Sequence, residues 1–423
     1  MTKKSIKPGI LILGGGVSGL GAAALAHSLG YWTRVSDSKT LSAEQLARFK
    51  RLNAEVFTGG HHLDQLENIG KIILSPGISS NSDLLNHARS QKIEILSEID
   101  FAFHGYKGQI ISVTGTNGKS TVCAMLKHIF DTLKIPADLA GNFGTPPSAI
   151  RATRTLHPIV ILELSSYQLE QTFFLKNTVG IFTSLSHDHL TRHGSFADYF
   201  AAKWKLAAFT QTLFLITKNV EKELKNSISP PCVIKTVELS QDFTDASGQT
   251  EQHNMLNAKL ASFAAAEILK KPPLELAVFL KNFRGLPHRC QKVGFFRQHQ
   301  LIDDSKSTNV ESTLAALENP SSSSVILMLG GVGKGESYAP ILKFKDKISQ
   351  VVIFGQSGPD IFKDLKIELQ THVFKTCKEA CDFIKSSTLS PFADILFSPA
   401  CASFDEFKNF EERGLFFQRA FLP

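Results

Sequence analysis

Ile110-Ile-Ser-Val-Thr-Gly-Thr-Asn-Gly-Lys-Ser-Thr121 opens on four residues suited to a buried strand, turns between two glycines and ends where a helix can begin. In that setting the loop N–H groups can cradle phosphates, Lys119 can reach the β- and γ-phosphates, and the Ser120 hydroxyl can sit on Mg²⁺. The spacing, Gly115-x-x-Gly118-Lys119-Ser120-Thr121, is two residues shorter than the usual phosphate loop. A strand, glycine turn and helix in this order predict a parallel α/β sheet with a nucleotide at its carboxyl edge.

Outward from this stretch, short apolar runs alternate with helical patterns along the chain, the pattern of α/β domains with largely parallel sheets. Strands are expected at Ile10–Leu13, Thr33–Ser36, Ile72–Ser75, Ile110–Val113, Ile159–Leu162, Val179–Thr183, Leu213–Thr217, Val325–Leu329, Val351–Phe354 and Ile395–Phe397. A connector around Leu96–Gly108 and a Phe-Arg-Gly-Leu-Pro-His segment within Asn282–His288 divide the chain into three expected domains. These are 1–97 (Rossmann-like), 98–285 (central, phosphate-loop ATPase-like, mostly parallel) and 286–423 (Rossmann-like). The Ser321–Ser324 run reads as a solvated loop, and no internal repeat is present.

Composition fits this architecture. The 423 residues allow several domains with their own cores, 43% are apolar and 20% charged, and 46 Lys+Arg against 39 Asp+Glu leave a formal charge of +7. That charge is dispersed, with no basic stripe of the kind nucleic acids recruit, so small multiply anionic substrates are the better match. Six cysteines without Cys-x-x-Cys pairs argue against a disulfide framework or structural zinc and agree with a reducing cytoplasm. Lys3, Lys4 and Lys7 ahead of the run Ile10–Ala26 imitate a secretory signal, but five glycines interrupt that run. No later apolar run is long enough to span a membrane, for which about 20 residues are needed.

Gly14-Gly15-Gly16-Val17-Ser18-Gly19 fits G-x-G-x-x-G after a strand and before a helix, where backbone N–H groups can hold a pyrophosphate. Asp37 closes the second strand, where an acid can meet a ribose or base. This fingerprint alone leaves a nicotinamide or flavin dinucleotide, another diphosphate and a purely structural turn all open. Ser75-Pro76-Gly77 is either a second loop on the same ligand or an ordinary turn. In the middle domain, Glu163 ends one strand and Asp188-His189 follow another, so both should face Lys119. Singly, Glu163 reads as well as a helix N-terminal acid, His189 as a loop histidine and Lys203 as a surface lysine. Together with a phosphate loop, Glu163 and His189 look like a Mg²⁺ shell.

The residues then add up. Gly-Thr-Asn-Gly-Lys-Ser-Thr (115–121), Gly-Asn-Phe-Gly (141–144), Glu-Leu-Ser-Ser-Tyr-Gln-Leu-Glu (163–170), Asp-His (188–189), His-Asn-x-x-Asn-Ala (253–258), Gly-Leu-Pro-His-Arg (285–289) and Asp-Ser-Lys-Ser-Thr-Asn (304–309) resemble the Mur ligases. These are ATP-dependent, amide-forming enzymes of peptidoglycan stem-peptide synthesis. Ser398-Pro-Ala-Cys-Ala-Ser-Phe-Asp405, with Phe407-Lys-Asn-Phe410 and Arg413-Gly414, resembles the branch that adds D-glutamate to UDP-N-acetylmuramoyl-L-alanine.

The resemblance implies a role for each matching residue. Val17, Ser18, Asp37, Ser38, Lys39, Ser75 and Gly77 would hold the UDP-sugar, with Asn142 and His189 approaching its muramoyl-alanine arm. Gly115, Thr116, Asn117, Gly118, Lys119, Ser120 and Thr121, with Asn254, Asn257, Arg289 and Asp304, would bind ATP. Lys306, Thr308, Lys334, Ser403, Phe404 and Phe410 would receive D-glutamate. Ser120, Glu163, His189 and Lys203 would serve two Mg²⁺ ions, Lys203 as a carbamate, and Lys119, Glu163, His189 and Lys203 would form the catalytic set. A cytoplasmic monomer with neither membrane nor nucleic acid as partner is expected, contributing to cell-wall synthesis and so to cell shape and division.

The chain departs from the family pattern in two places: Ser38-Lys39 where Thr-Arg is frequent, and Val332 where Asp is common. A lysine keeps the charge but not the two-pronged fork of an arginine. The alternatives are a sibling ligase or folylpolyglutamate synthase, a nicotinamide oxidoreductase using Gly14–Gly19, and a non-catalytic nucleotide-binding regulator. The Ser-Pro-Ala-Cys-Ala-Ser segment and the lack of a diaminopimelate-type Asp-Asn/Asp-Pro-Arg motif argue against the first pair; the oxidoreductase leaves Lys119, Glu163 and the third domain without a purpose.

With ligand sets spread over three domains, the third should swing about Asn282–His288 during turnover. Scattering profiles of the apo protein and of protein saturated with ATP analogue and UDP-sugar are therefore expected to differ, and superimposable profiles would refute the swing.

Overall fold

The computed structural model describes residues 8–79, 81–224, 230–249, 251–318 and 323–422. Lys3, Lys4, Lys7, Ser321 and Ser322 lie outside the described residues.

Strands buried on both faces need continuous apolar runs, and the central strands have them. Gly9–Leu13 (β1) is buried at every position. It is the middle of a parallel sheet ordered β3-β2-β1-β4-β5, with β2 at Thr33–Asp37, β3 at Glu55–Thr58, β4 at Ile69–Leu74 and β5 at Glu94–Ser97. This order brings the glycine turn after β1 next to the end of β4, the position where doubly wound sheets bind nucleotides.

The second sheet is also parallel and runs β11-β10-β9-β6-β8-β7. Its strands are Gln109–Thr114 (β6), Ala137–Gly141 (β7), Ile159–Glu163 (β8), Asn177–Phe182 (β9), Thr210–Thr217 (β10) and Val233–Val237 (β11). The register Val113↔Glu163 and Thr114↔Phe182 aligns the carboxyl ends of β8 and β9 on either side of the phosphate loop.

The third sheet, β12-β13-β17-β14-β15-β16, is parallel except for the antiparallel pair β12–β13. It comprises Gln291–Phe296 (β12), His299–Asp303 (β13), Val325–Gly330 (β14), Ile348–Phe354 (β15), Thr371–Val373 (β16) and Asp394–Ala400 (β17).

The ten expected strands are all present. The strands the sequence did not announce are β3, β5, β7, β11, β12, β13 and β16, and all but β13 lie at sheet edges. An edge strand faces water and lacks the unbroken apolar run that marks a central one; β3 (Glu-Val-Phe-Thr) and β11 (Val-Ile-Lys-Thr-Val) are largely exposed. The chain divides into two compact units. The first spans residues up to Leu185, Ser195–Thr250 and Asn254–Asn282, and contains the first two sheets; the second comprises Ser186–Gly194, Glu251–His253 and Phe283–Pro423 with the third sheet. No helix among the described residues is long and apolar enough to cross a membrane.

Candidate active site

In the first unit the phosphate loop is braced from β9. The Thr183 hydroxyl donates to Asn117 O at 2.5 Å, Asn117 N donates to Ser184 Oγ at 2.9 Å, and Thr116 N donates to Ser184 O at 2.8 Å. Gly115 and Gly118 have φ of +148° and +84°, and a Cβ at Gly115 would lie 2.0 Å from Thr183 Oγ1. Only glycine fits both the conformation and the space. The helix Lys119–Thr132 opens on Gly118 with no side chain capping it, leaving its N-terminal face to the loop's ligand.

Two lysines converge on one carbonyl: Lys119 Nζ donates to Gly115 O at 2.9 Å and to Thr116 O at 2.8 Å, and Lys203 Nζ donates to Gly115 O at 2.7 Å. Lys203 is 2% exposed and lies 4.7 Å from the Tyr199 ring centre. The reading of a surface helix lysine is therefore corrected: this side of the helix Phe196–Phe209 faces the phosphate loop. On the neighbouring strand Glu163 is buried. Its Oε1 accepts from Asn142 Nδ2 at 2.7 Å, while Oε2 has no hydrogen-bond partner. Asn257 reaches the loop as well, since a Cβ on Gly118 would lie 2.7 Å from its Oδ1; Asn254 precedes it on the same helix.

Around the first sheet, Gly15 N donates to Asp37 Oδ2 at 2.6 Å and Lys39 N to Asp37 Oδ1 at 2.8 Å. Asp37 thus clamps the glycine turn to the loop carrying Ser38 and Lys39, both exposed. The Ser75 hydroxyl donates to Gly14 O at 3.2 Å. Val17, 74% exposed at the start of the helix Val17–Ser28, is an apolar side chain presented to solvent beside the turn; Ser18 is half-buried and Gly77 is exposed with φ +91°.

The second unit holds a cavity of about 460 Å³ lined in part by Asp188, His189, Glu311, Lys334 and Glu336. Lys334 Nζ lies 2.7 Å from Asp188 Oδ1. Burial would raise the Asp188 carboxyl, but Lys334, His189 and their hydrogen bonds outweigh it and hold it below the usual carboxylate range. Burial pushes Glu336 upward; its Oε2 accepts from Val310 N and its Oε1 has no partner. Lys306 Nζ sits 4.2 Å from the Phe410 ring centre, Ser403 is buried, Thr308 half-buried and Phe404 exposed. Val332, where the family pattern favours Asp, pairs through its backbone with Ala402 at 2.8 and 2.9 Å, so the loop keeps its shape without a carboxylate.

Asp304 is buried beneath this surface, accepting from Ser398 Oγ at 2.7 Å and from Cys290 N, next to Arg289, at 3.1 Å. Burial lifts its carboxyl to about 7 against those bonds. The sequence reading missed Arg413 as a working residue. It is fully buried and donates to Ser305 O at 2.8 Å, Cys401 O at 2.9 Å and Gly330 O at 3.4 Å, tying together three loops at strand ends. The only hint was its place in the Arg413-Gly414 pair.

Against known proteins, residues 113–268 match the family model for the Mur ligase middle domain and residues 8–97 that for the Mur ligase MurD-like N-terminal domain. The chain belongs to the Mur ligase family. Within it, the chain is 33% identical to UDP-N-acetylmuramoylalanine–D-glutamate ligase of Elusimicrobium minutum, covering 97% of this chain and 96% of the relative. It is 32% identical to the protein of that name in Cytophaga hutchinsonii, covering 97% of each. Among solved structures, MurF of Acinetobacter baumannii aligns with a TM-score of 0.61 at 15% identity over 94% of this chain and 98% of that one. UDP-N-acetylmuramate–alanine ligase of Thermotoga maritima aligns with 0.57 at 20% over 98% of each, a likeness of fold.

A carboxyl raised by the fold ionises more readily in the unfolded chain, so its stabilising contribution is complete below about pH 4 and lost as pH rises through 7. Asp304→Asn should accordingly gain stability relative to the parent between pH 5 and 8. Urea titrations at both pH values check this, and a parallel pH dependence of the two proteins would contradict it.

Proposed function

We propose that the chain joins the alanyl carboxylate of UDP-N-acetylmuramoyl-L-alanine to the amino group of D-glutamate, converting ATP to ADP and phosphate. The identity to relatives of that name over nearly the whole chain supports the substrates. The observation that carries the chemistry is the convergence of Lys119 and Lys203 on Gly115 O, in a loop built for phosphates.

The donor carboxylate oxygen attacks the γ-phosphorus, the bond to the β-phosphate oxygen breaks, and ADP leaves. The amine then attacks the acyl carbon, loses a proton, and phosphate departs as the amide forms. Phosphoryl transfer asks mainly for positioning and charge stabilisation. Lys119 and the loop N–H groups hold the β- and γ-phosphates. Asn254, Asn257, Arg289 and Asp304 bind the rest of ATP. Val17, Ser18, Asp37, Ser38, Lys39, Ser75 and Gly77 hold the UDP-sugar, and Asn142 and His189 meet its reactive arm. Lys306, Lys334, Thr308, Ser403, Phe404 and Phe410 receive D-glutamate, whose two carboxylates require cations and donors.

Mg²⁺ fits the donor set, because Glu163 keeps a buried carboxylate oxygen without a partner and Ser120 lies in the first turn of the helix that follows the phosphate loop. Among the described residues there is no cluster of three or more His, Cys, Asp or Glu that could hold a metal. Bound there, Mg²⁺ supplies neutralisation of the charge that moves during transfer.

Lys203 is proposed to act as a carbamate and, with His189, to serve the second ion. Two ammonium groups sharing one acceptor repel each other, and carbamylation replaces one positive charge with a negative one. The carbamate Nζ–H can still donate to Gly115 O.

With ATP and UDP-N-acetylmuramoyl-L-alanine present, phosphate release is expected with D-glutamate and not with L-glutamate, L-alanine, L-serine or diaminopimelate. Release with any of these but not D-glutamate would overturn the reading. Lys203→Ala should lower turnover by about 100-fold. The unsubstituted protein in ¹³C-bicarbonate should show a carbamate resonance that Lys203→Arg lacks; equal spectra and near-normal activity of the alanine variant would remove Lys203 from the site.

A further inference from the structure

The connector between the first two sheets is the helix Glu98–Phe103, which follows β5 directly and leads through a short loop into β6. Domain linkers are ordinarily exposed and flexible. Every residue of this one is buried, including two acids, Glu98 at 1% and Asp100 at 5% exposure.

Each acid holds backbone of the middle sheet's helical layer. Glu98 Oε1 accepts from Ser148 N at 2.9 Å and also from the Ser148 hydroxyl. Asp100 accepts from Phe173 N at 3.0 Å and Phe174 N at 2.9 Å. The grip is reciprocal: Arg151 Nη1 donates to Ala102 O at 2.7 Å and His104 O at 2.8 Å, closing the connector's last turn.

The segments held in this way carry functional residues. Ser148 and Arg151 belong to the helix Pro147–Thr153, which follows the loop bearing Asn142; Phe173 and Phe174 end the stretch that begins at Glu163. The same Ser148 meets the helix that opens on the glycine turn. A Cβ at Gly21 would lie 2.7 Å from Ser148 Oγ and 3.1 Å from Ala149 N, so these two helices touch where only glycine permits it.

We propose that this connector is a rigid clasp in which Glu98, Asp100 and Arg151 act as positioning residues, fixing where the donor carboxylate falls relative to the transferring phosphate. The inference rests on the ligase reading above. The glycine turn anchors one end of the donor, Asn142 and Glu163 stand where its other end reacts, and the clasp sets the span between them. A misplacement of about 1 Å in such an arrangement can lower a rate by about 100-fold while each ligand still binds its own subsite.

The test compares kcat with separate calorimetric affinities for UDP and for ADP, on the full chain, using whichever amino acid supports phosphate release. Glu98→Ala, Arg151→Ala and Gly21→Ala should each lower kcat by about tenfold or more, with UDP and ADP affinities unchanged. Glu98→Gln, which retains an acceptor oxygen for Ser148, should recover most of the rate. Parental kcat in folded Glu98→Ala or Arg151→Ala protein would overturn the clasp, as would a rate loss matched by an equal loss of UDP or ADP affinity or of folded fraction. If Glu98→Ala does not fold, Arg151→Ala and Gly21→Ala decide. An acceptor other than D-glutamate would overturn the functional reading and leave this comparison standing; no turnover with any acceptor would overturn both.

Discussion

The carbonyl of Gly115 receives two lysine ammonium groups, and much of the first unit is arranged so that it can. Bringing two cations to one acceptor inside a fold is unfavourable without anions to meet them. Holding the arrangement requires a loop that cannot relax, hence the two hydroxyls of Thr183 and Ser184 on Asn117 and the glycines where no Cβ fits. It also requires a helix that presents Lys203 inward, with Tyr199 of the same helix contacting Thr116. The loop backbone is thereby held in one conformation.

Several carboxylates in this chain serve as clamps. Asp37 ties the glycine turn, Glu98 and Asp100 tie the connector, and Asp303 accepts from Ser305 N, His288 and Gln418. A clamp of this kind shapes a ligand loop without touching the ligand. Glu98, Glu163 and Glu336 each also keep one buried oxygen without a partner, and of these three Glu163 is the one on the strand beside the phosphate loop.

The central strands and the glycine loops could be read from the chain because their signals are local: continuous apolar runs, and glycines at fixed offsets from them. The edge strands could not, since β3 and β11 alternate or expose their side chains and resemble loops. Lys203 was legible only through family resemblance; its spacing on the helix Phe196–Phe209 says nothing about which face is buried. The clasp was invisible for a further reason. Glu98 and Ser148 lie 50 residues apart, and an acid at a helix start is indistinguishable in sequence from an ordinary capping acid. Nor did the composition of the segment around Leu96–Gly108, read as a connector, reveal that its helix Glu98–Phe103 is buried.

Arg413 links Ser305, Gly330 and Cys401 through one guanidinium, and it lies C-terminal to all three. During synthesis, therefore, the loops carrying Lys306, Lys334 and Ser403 emerge before the residue that fastens them. The helix Phe410–Phe421, which carries Arg413, therefore fastens loops that precede it in the chain.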